Sequence, residues 1–360
     1  MEKICIVKED ITIKGGSERI ACLLMNELSK NFEVYCISIK KTNNKPAYFI
    51  DSRIKIKYLS LSSKRIRYQF FKLVFYFIHF ILKNKIEMIL NIGIPGIAIS
   101  FVTKFFNRKV ISCEHSNLKN LNDNHSKKKC QYLATKFSDK IITLTQKDKI
   151  NYIQKFNLSE NKVNYIYNFI DEKLLNLKNE YDINSKKIIT VGRLDKVKGY
   201  DRLVEIAKKV LEKNKNWEWH IYGDGEEFEN INSLIKENQL EEKLILKGKV
   251  DNIYELYKEY SFYVMTSYYE GLPMVLLEAK ANSLPLISFD IETGPSEIIR
   301  SEIDGYLIEN NNLEQMEEKI NYLIENKNIR KEFSNRSKEN LDKFEKNKIM
   351  NQWIDLIEKI

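Results

Sequence analysis

The feature that most constrains this chain is a regular alternation of short apolar runs with amphipathic stretches of helical period, sustained from end to end. Ile4–Val7, Val34–Ile39, Met88–Ile92, Lys109–Cys113, Lys140–Leu144 and Val163–Ile166 read as strands. Between them lie helices such as Ser17–Lys30, where Ile20, Leu23, Leu24 and Leu28 share one face. Nearly continuous apolar runs suit strands covered on both sides, the condition of a parallel sheet between two layers of helices. A second series begins after residue 180, with strands at Ile188–Val191, Trp219–Tyr222, Leu244–Leu246, Phe262–Met265, Pro285–Phe289 and Tyr306–Ile308. Its helices include Tyr200–Leu211 and Pro273–Ala281. Two series of about 170 residues in a chain of 360 predict an α/β protein with two doubly wound domains. The expected division is residues 1–170, residues 171–345 and a C-terminal helix, 346–360, that packs back on the first domain. Domains of this type bind ligands beyond the carboxyl ends of their strands, here in a cleft across which the two domains face each other.

Charge divides along the same line. Lys and Arg number 59 against 50 Asp and Glu, a net of +9. Residues 1–172 hold 30 of the cations and 15 of the anions, net +15; the remainder hold 29 and 35, net −6. A positive balance suits an anionic partner, whether nucleic acid, lipid headgroup or phosphorylated substrate. With 43% hydrophobic residues, wholesale disorder is excluded. Cys5, Cys22, Cys36, Cys113 and Cys130 are odd in number and form no C-x-x-C pair, so buried free thiols in a reducing compartment are expected. The N-terminus runs straight into an apolar strand, so no secretory signal is expected, and no run of about 18 uncharged apolar residues offers a spanning helix.

The most unusual segment is Lys64–Lys83, aromatic and apolar nearly all round and flanked by cations. A helix buried under the first sheet and a helix at a membrane interface both fit it. The expectation is a mixture, mostly core, with the basic N-terminal end at the membrane. Lys127-Lys128-Lys129, expected in a polar loop, either joins that face or is solvated.

Three segments at strand ends bear on chemistry. Gly15-Gly16-Ser17-Glu18-Arg19 joins the first strand to the first helix, where glycines allow close backbone approach and a helix start offers free N–H groups to an anion. It is neither a G-x-G-x-x-G nor a P-loop, and a plain tight turn fits as well. Gly192-Arg193-Leu194-Asp195 and Lys198-Gly199 follow the first strand of the second half, where Arg193 and Lys198 are placed to meet a diphosphate. A solvated loop in a Lys-rich chain is the plainer reading. In Glu270-Gly271-Leu272-Pro273-Met274, Gly271 permits close approach and Pro273 suits the first turn of a helix. Glu278, eight residues on, lies on an otherwise apolar face, where a carboxylate needs partners such as vicinal hydroxyls.

Taken together, these segments, with Gly223-Asp224-Gly225 between them, resemble the retaining glycosyltransferase family 4 with its E-x7-E motif. The resemblance covers nearly the whole chain, and Glu114-His115-Ser116-Asn117 and Gly294-Pro295-Ser296-Glu297 further resemble bacterial members that build surface polysaccharides or lipid-linked oligosaccharides. It implies the GT-B fold, two Rossmann-like domains, and a role for each matched residue. Gly15 and Gly16 would approach the donor phosphates, and Arg193 and Lys198 would neutralise the leaving diphosphate. Glu278 would bind the ribose hydroxyls, while Glu270 with the Gly271, Leu272, Pro273 and Met274 turn would hold the transferred sugar. Lys249 and Val250, after Gly248, would meet the base through their backbone, and His115 would lie beside sugar and acceptor, or be a structural histidine satisfied by its loop. The expected catalytic set is therefore Glu270, His115, Arg193 and Lys198. Phe169 stands where the family commonly has glycine, which puts hinge geometry in doubt.

The implied reaction moves a hexose or N-acetylhexosamine from a nucleotide sugar, expected to be UDP-linked, to a lipid-diphosphate-linked saccharide or polysaccharide. The resemblance implies no cofactor and no metal, and consistently the chain has no D-x-D for a divalent ion and its four histidines do not cluster. The expected location is cytoplasmic and peripheral, with the basic first half on an anionic membrane surface and no nucleic acid as partner. A basic nucleic-acid-binding protein, a non-catalytic GT-B scaffold and a nucleotide-sugar epimerase of the same architecture are the competing readings. The first leaves the cations at strand ends of an acidic second half unexplained, and the second leaves the intact Arg193, Lys198, Glu270 and Glu278 unexplained.

Overall fold

Every strand pairing among the described residues is parallel, as strands buried on both faces require. The computed structural model describes residues 1–59, 66–93, 106–114, 118, 125–175 and 180–360. The chain forms two compact units, Met1–Asn168 with Ile349–Ile360, and Phe169–Lys348.

The first unit contains β1 (Lys3–Lys8), α1 (Gly16–Leu28), β2 (Glu33–Ser38), β3 (Lys55–Tyr58), α2 (Ile66–Lys83), β4 (Met88–Ile92), β5 (Lys109–Glu114), α3 (His125–Phe137), β6 (Lys140–Thr143), α4 (Gln146–Phe156) and β7 (Val163–Tyr165). Its described strands make a seven-stranded sheet of order β3-β2-β1-β4-β5-β6-β7. β1 is central and buried from Ile4 to Val7. The strand β3 was not expected from the sequence. It lies at the sheet edge, alternates Lys55, Ile56, Lys57 and Tyr58, and is only partly covered, so it lacks an apolar run. Helix α1 ends at Leu28 rather than Lys30. Cys5, Cys22, Cys36 and Cys113 are buried free thiols, and Cys130 is half-buried. Burial pushes Cys22 up to about 12, with Glu18 adding to the effect and Lys8 opposing it.

Helix α2 departs from the expectation of a mostly buried element. Leu73, Phe77 and Ile81 pack with Cys5, Val7, Tyr35, Ile37 and Ile89 in the core. On the outer side Phe71 is 86% exposed and Phe75 67%, and Tyr76, His79 and Leu82 are exposed as well. An exposed aromatic stripe therefore runs along the helix; Lys64 and Arg65, at the basic end expected to meet the membrane, lie outside the described residues. Lys127–Lys129, expected in a loop, fall within α3, where Lys128 and Lys129 are exposed.

The second unit begins with the short α5 (Glu172–Leu175), followed by β8 (Lys187–Val191), α6 (Tyr200–Lys213), β9 (Glu218–Tyr222), α7 (Phe228–Glu237), β10 (Leu244–Gly248), β11 (Phe262–Met265), α8 (Met274–Ala281), β12 (Leu286–Asp290), α9 (Pro295–Ile298), β13 (Gly305–Glu309), α10 (Leu313–Glu325) and α11 (Lys327–Arg336). The last helix, α12 (Lys346–Glu358), begins in this unit and belongs mostly to the first. The described strands form a six-stranded sheet of order β10-β9-β8-β11-β12-β13. Leu203, Ile206, Ala207 and Val210 line the buried face of α6. Phe169 is buried and is absent from the residues with positive φ, so this position does not call for glycine.

A buried ion pair ties the end of α8 to the loop before β13. Lys280 Nζ lies 2.8 Å from Asp304 Oδ2, and both side chains are fully buried. The ammonium also donates to Ile298 O at 2.8 Å, and Arg300 Nε donates to the same Asp304 oxygen at 2.6 Å. Burial pulls Lys280 down to about 8, against the attraction of Asp304. Asp304→Ala leaves the ammonium buried without its anion, and urea unfolding at neutral pH should show a loss of about 3–5 kcal/mol. The folded Lys280 releases its proton near pH 8, whereas in the unfolded chain it is held to about 10.4. Between those limits the unfolded chain binds more protons, so this group makes stability rise with pH. The stability of the wild type relative to Lys280→Met should climb across that window; a difference flat with pH contradicts the assignment.

Candidate functional site

In the second unit the sheet order reverses between β8 and β11, the point at which a doubly wound sheet leaves room for a ligand beyond its strand ends. The loops after β8, β9 and β11 carry most of the residues that the sequence singles out. Backbone contacts set their spacing. Gly192 N donates to Tyr222 O at 2.9 Å and Leu194 N to Asp224 O at 2.8 Å. Gly223 has φ +152, and a Cβ there would lie 1.8 Å from Gly192 O, so the β8 and β9 loops approach this closely only with glycine.

The β8 loop ends in a short turn, Lys196–Lys198, followed by Gly199 at φ +63. Here too a Cβ would collide, 2.1 Å from Thr266 O in the loop after β11. The two loops are thus pressed together, and Lys198 Nζ reaches Glu270 Oε1 at 2.6 Å, with both side chains largely buried. Ser267 Oγ donates to the same oxygen at 2.7 Å. Thr266 Oγ1 donates to Lys198 O at 3.1 Å, and Tyr268 N to Val197 O at 2.8 Å. Thr293 Oγ1 donates to Glu270 O at 2.6 Å, which holds the glutamate's backbone from the side of β12.

Arg193 remains 76% exposed, its Nη2 2.7 Å from Asp195 Oδ2. Gly271 and Leu272 lead to Pro273, which stands at the N-cap of α8 and not in its first turn as expected; Met274 is the first helical residue. Proline has no N–H, so the donors of this turn come from its neighbours. Glu278 is buried on α8 and accepts from Tyr254 Oη at 3.3 Å. Lys249, just beyond β10, lies 3.3 Å from Asp224, with Val250 next to it half-buried. The structure thus pairs Lys198 with Glu270, Arg193 with Asp195, Lys249 with Asp224, and Glu278 with Tyr254. Ser267, Thr293 and Tyr254 were not singled out in the sequence, because small hydroxyls and a lone tyrosine carry no spacing signal.

In the first unit Gly15 is the extended N-cap of α1, which begins at Gly16. Beside them Lys8 Nζ lies 2.8 Å from Ser17 Oγ and 2.9 Å from Glu18 Oε1, and the ion pair is largely buried. The sequence reading missed Lys8; its signal is a cation closing an apolar strand at the carboxyl end. Glu114, which ends β5, is buried, and among the described residues neither carboxyl oxygen has a hydrogen-bond partner of normal geometry. Burial, then Asp148, push its acid up to about 7, against the nearby Tyr152 hydroxyl. His115, Ser116 and Asn117 lie outside the described residues.

Two family models cover most of the chain, Glycosyltransferase Family 4 over residues 14–174 and Glycosyl transferases group 1 over residues 175–340. The amylovoran biosynthesis glycosyltransferase AmsD of Erwinia amylovora is 32% identical over 364 residues, spanning 99% of this chain and 100% of that protein. An N-acetylgalactosamine-N,N'-diacetylbacillosaminyl-diphospho-undecaprenol 4-alpha-N-acetylgalactosaminyltransferase of Campylobacter jejuni is 28% identical, covering 93% of this chain and 94% of its own. Among solved structures, a variant of S. aureus TarM in complex with fondaparinux, alpha-GlcNAc-glycerol and UDP matches 99% of both chains with a TM-score of 0.85 at 18% identity, a likeness of fold. With this fold, these matched models and a relative similar along its whole length, the chain belongs to glycosyltransferase family 4 and is a glycosyltransferase of the GT-B fold.

Proposed function

We propose that the protein transfers a hexose or N-acetylhexosamine, with retention, from a UDP-sugar to a lipid-diphosphate-linked saccharide during assembly of a surface glycan. The observation that carries this reading is the Lys198–Glu270 pair at the sheet's reversal point, with Glu278 on the helix that follows. A cation and a carboxylate that neutralise each other are poised to exchange partners when a nucleotide sugar arrives. Lys198 then faces the diphosphate, joined by Arg193, and Glu270 is freed to accept from the sugar hydroxyls. Glu278 takes the ribose hydroxyls. The bound UDP of the TarM complex and the diphospho-undecaprenol in the name of the Campylobacter relative support this choice of donor and acceptor.

As the anomeric carbon–oxygen bond breaks, negative charge grows on the leaving diphosphate. Lys198, Arg193 and the α8 N-terminus stabilise that charge more than they stabilise the ground state, which is what accelerates transfer. The acceptor hydroxyl attacks the same face that the diphosphate leaves, and the leaving oxygen takes its proton. The proposed step uses no metal ion. Lys198→Ala or Glu270→Ala should lower turnover with UDP-sugar and lipid-linked acceptor at least about 100-fold. Undiminished transfer by either variant contradicts the site. In a thermal-shift series over nucleotides, UDP should raise the melting temperature of the wild type most, and Glu278→Ala should weaken that shift.

The same reading places the protein on the inner face of the membrane. Among the described residues no helix is long and apolar enough to cross a bilayer. The exposed aromatics of α2, in a half of the chain with net charge +15, suit the interface of an anionic membrane. Replacing Phe71 and Phe75 together by Ser should reduce co-sedimentation with anionic vesicles while leaving the melting temperature nearly unchanged; binding equal to wild type contradicts the docking face.

A further inference from the structure

We infer that Arg202, four residues after Lys198, is the positioning residue that holds the Lys198 and Glu270 loops in register. It stands in the first turn of α6, three residues after Gly199, and is buried. Its guanidinium fork is almost fully used. Nε donates to Thr266 O at 2.5 Å, Nη2 donates to Ser267 O, and Nη1 donates to Asn311 Oδ1 at 2.9 Å and Asn310 Oδ1 at 3.2 Å. The guanidinium carbon also lies 4.1 Å from the ring centroids of both Tyr268 and Phe289.

The targets explain what the arrangement does. Thr266 and Ser267 lead from β11 to Glu270, and their side chains touch Lys198 O and Glu270 Oε1. Tyr268, beneath the guanidinium, donates its N–H to Val197 O and its hydroxyl to Asp201 at 2.7 Å. A Cβ on Gly199 would lie 2.9 Å from Arg202 Nε, so the turn that aims Lys198 is seated directly on this side chain. The residue therefore fastens the base of α6, which follows Lys198, to the segment that precedes Glu270. Among the described residues no carboxylate lies within ion-pair distance of it, and neutral carbonyls and ring faces do the holding. A lysine keeps the charge but presents one nitrogen, which cannot span Thr266, Ser267 and the two asparagines together.

This inference rests on the donor-site reading of Lys198 and Glu270, so its test has one arm that needs no transfer. Arg202→Met and Arg202→Lys are compared with wild type in donor kinetics, UDP affinity and amide hydrogen exchange. A positioning role predicts kcat lowered 10–100-fold in both folded variants, with UDP bound more weakly as well, because Lys198 no longer meets the diphosphate squarely. It also predicts faster exchange at Tyr268 N, whose bond to Val197 O depends on the register. A purely structural role lowers the melting temperature but leaves kcat of the folded variant within twofold of wild type, which overturns the inference. Should Arg202→Met fail to fold, Arg202→Lys decides by the same criteria. If the wild type transfers no sugar at all, the donor reading fails, and exchange at Tyr268 still decides the clamp: unchanged protection in Arg202→Lys overturns it.

Discussion

Strand order is the constraint on which the rest of the second unit depends. Because β8 lies beside β11 at the point where the order reverses, the loops that follow them are neighbours although some seventy residues separate them in sequence. That adjacency brings Lys198 to Glu270 and fixes where glycine is obligatory. Gly199 is pressed on Thr266 O and Gly223 on Gly192 O, so the loop positions are set by backbone packing before any side chain is chosen. The buried Lys280–Asp304 pair then anchors the far end of α8, the helix that carries Glu278.

Electrostatics gives the site its character. Lys198 and Glu270 are largely removed from water, where an unpaired charge is costly, and each supplies the other's counter-charge. In the proposed reading, an incoming diphosphate and sugar would offer equivalent partners, so binding would exchange one set of charge-assisted bonds for another instead of stripping solvent from bare ions. Arg193 differs: it is mostly in water and paired with Asp195, so the proposed turn towards a phosphate would cost little. The excess of positive charge in the first half is a separate matter, since its cations are spread from Lys3 to Lys162.

Much of the architecture was legible in the sequence because buried parallel strands advertise themselves as apolar runs, and every strand of the second series is present within a residue or two. What escaped notice has a common physical reason. β3 is an edge strand with alternating lysines, and α2 is apolar all round, so its period could not reveal that Phe71 and Phe75 point outward. In the candidate site, residues with a fixed motif spacing could be singled out in the sequence, whereas Ser267, Thr293, Tyr254 and Arg202 make contacts that only tertiary packing brings about. Arg202 reads as one more cation on a charged helix until the carbonyls it holds are in view.

The central claim is that the loops after β8 and β11, with the start of α8, receive a nucleotide diphosphate. Hydrogen exchange with and without UDP tests it directly. The account predicts new protection in Gly192–Tyr200 and in Glu270–Glu278, with the segment at Lys249–Val250 following. Tight UDP binding with protection confined to other segments, or no binding at all, contradicts it.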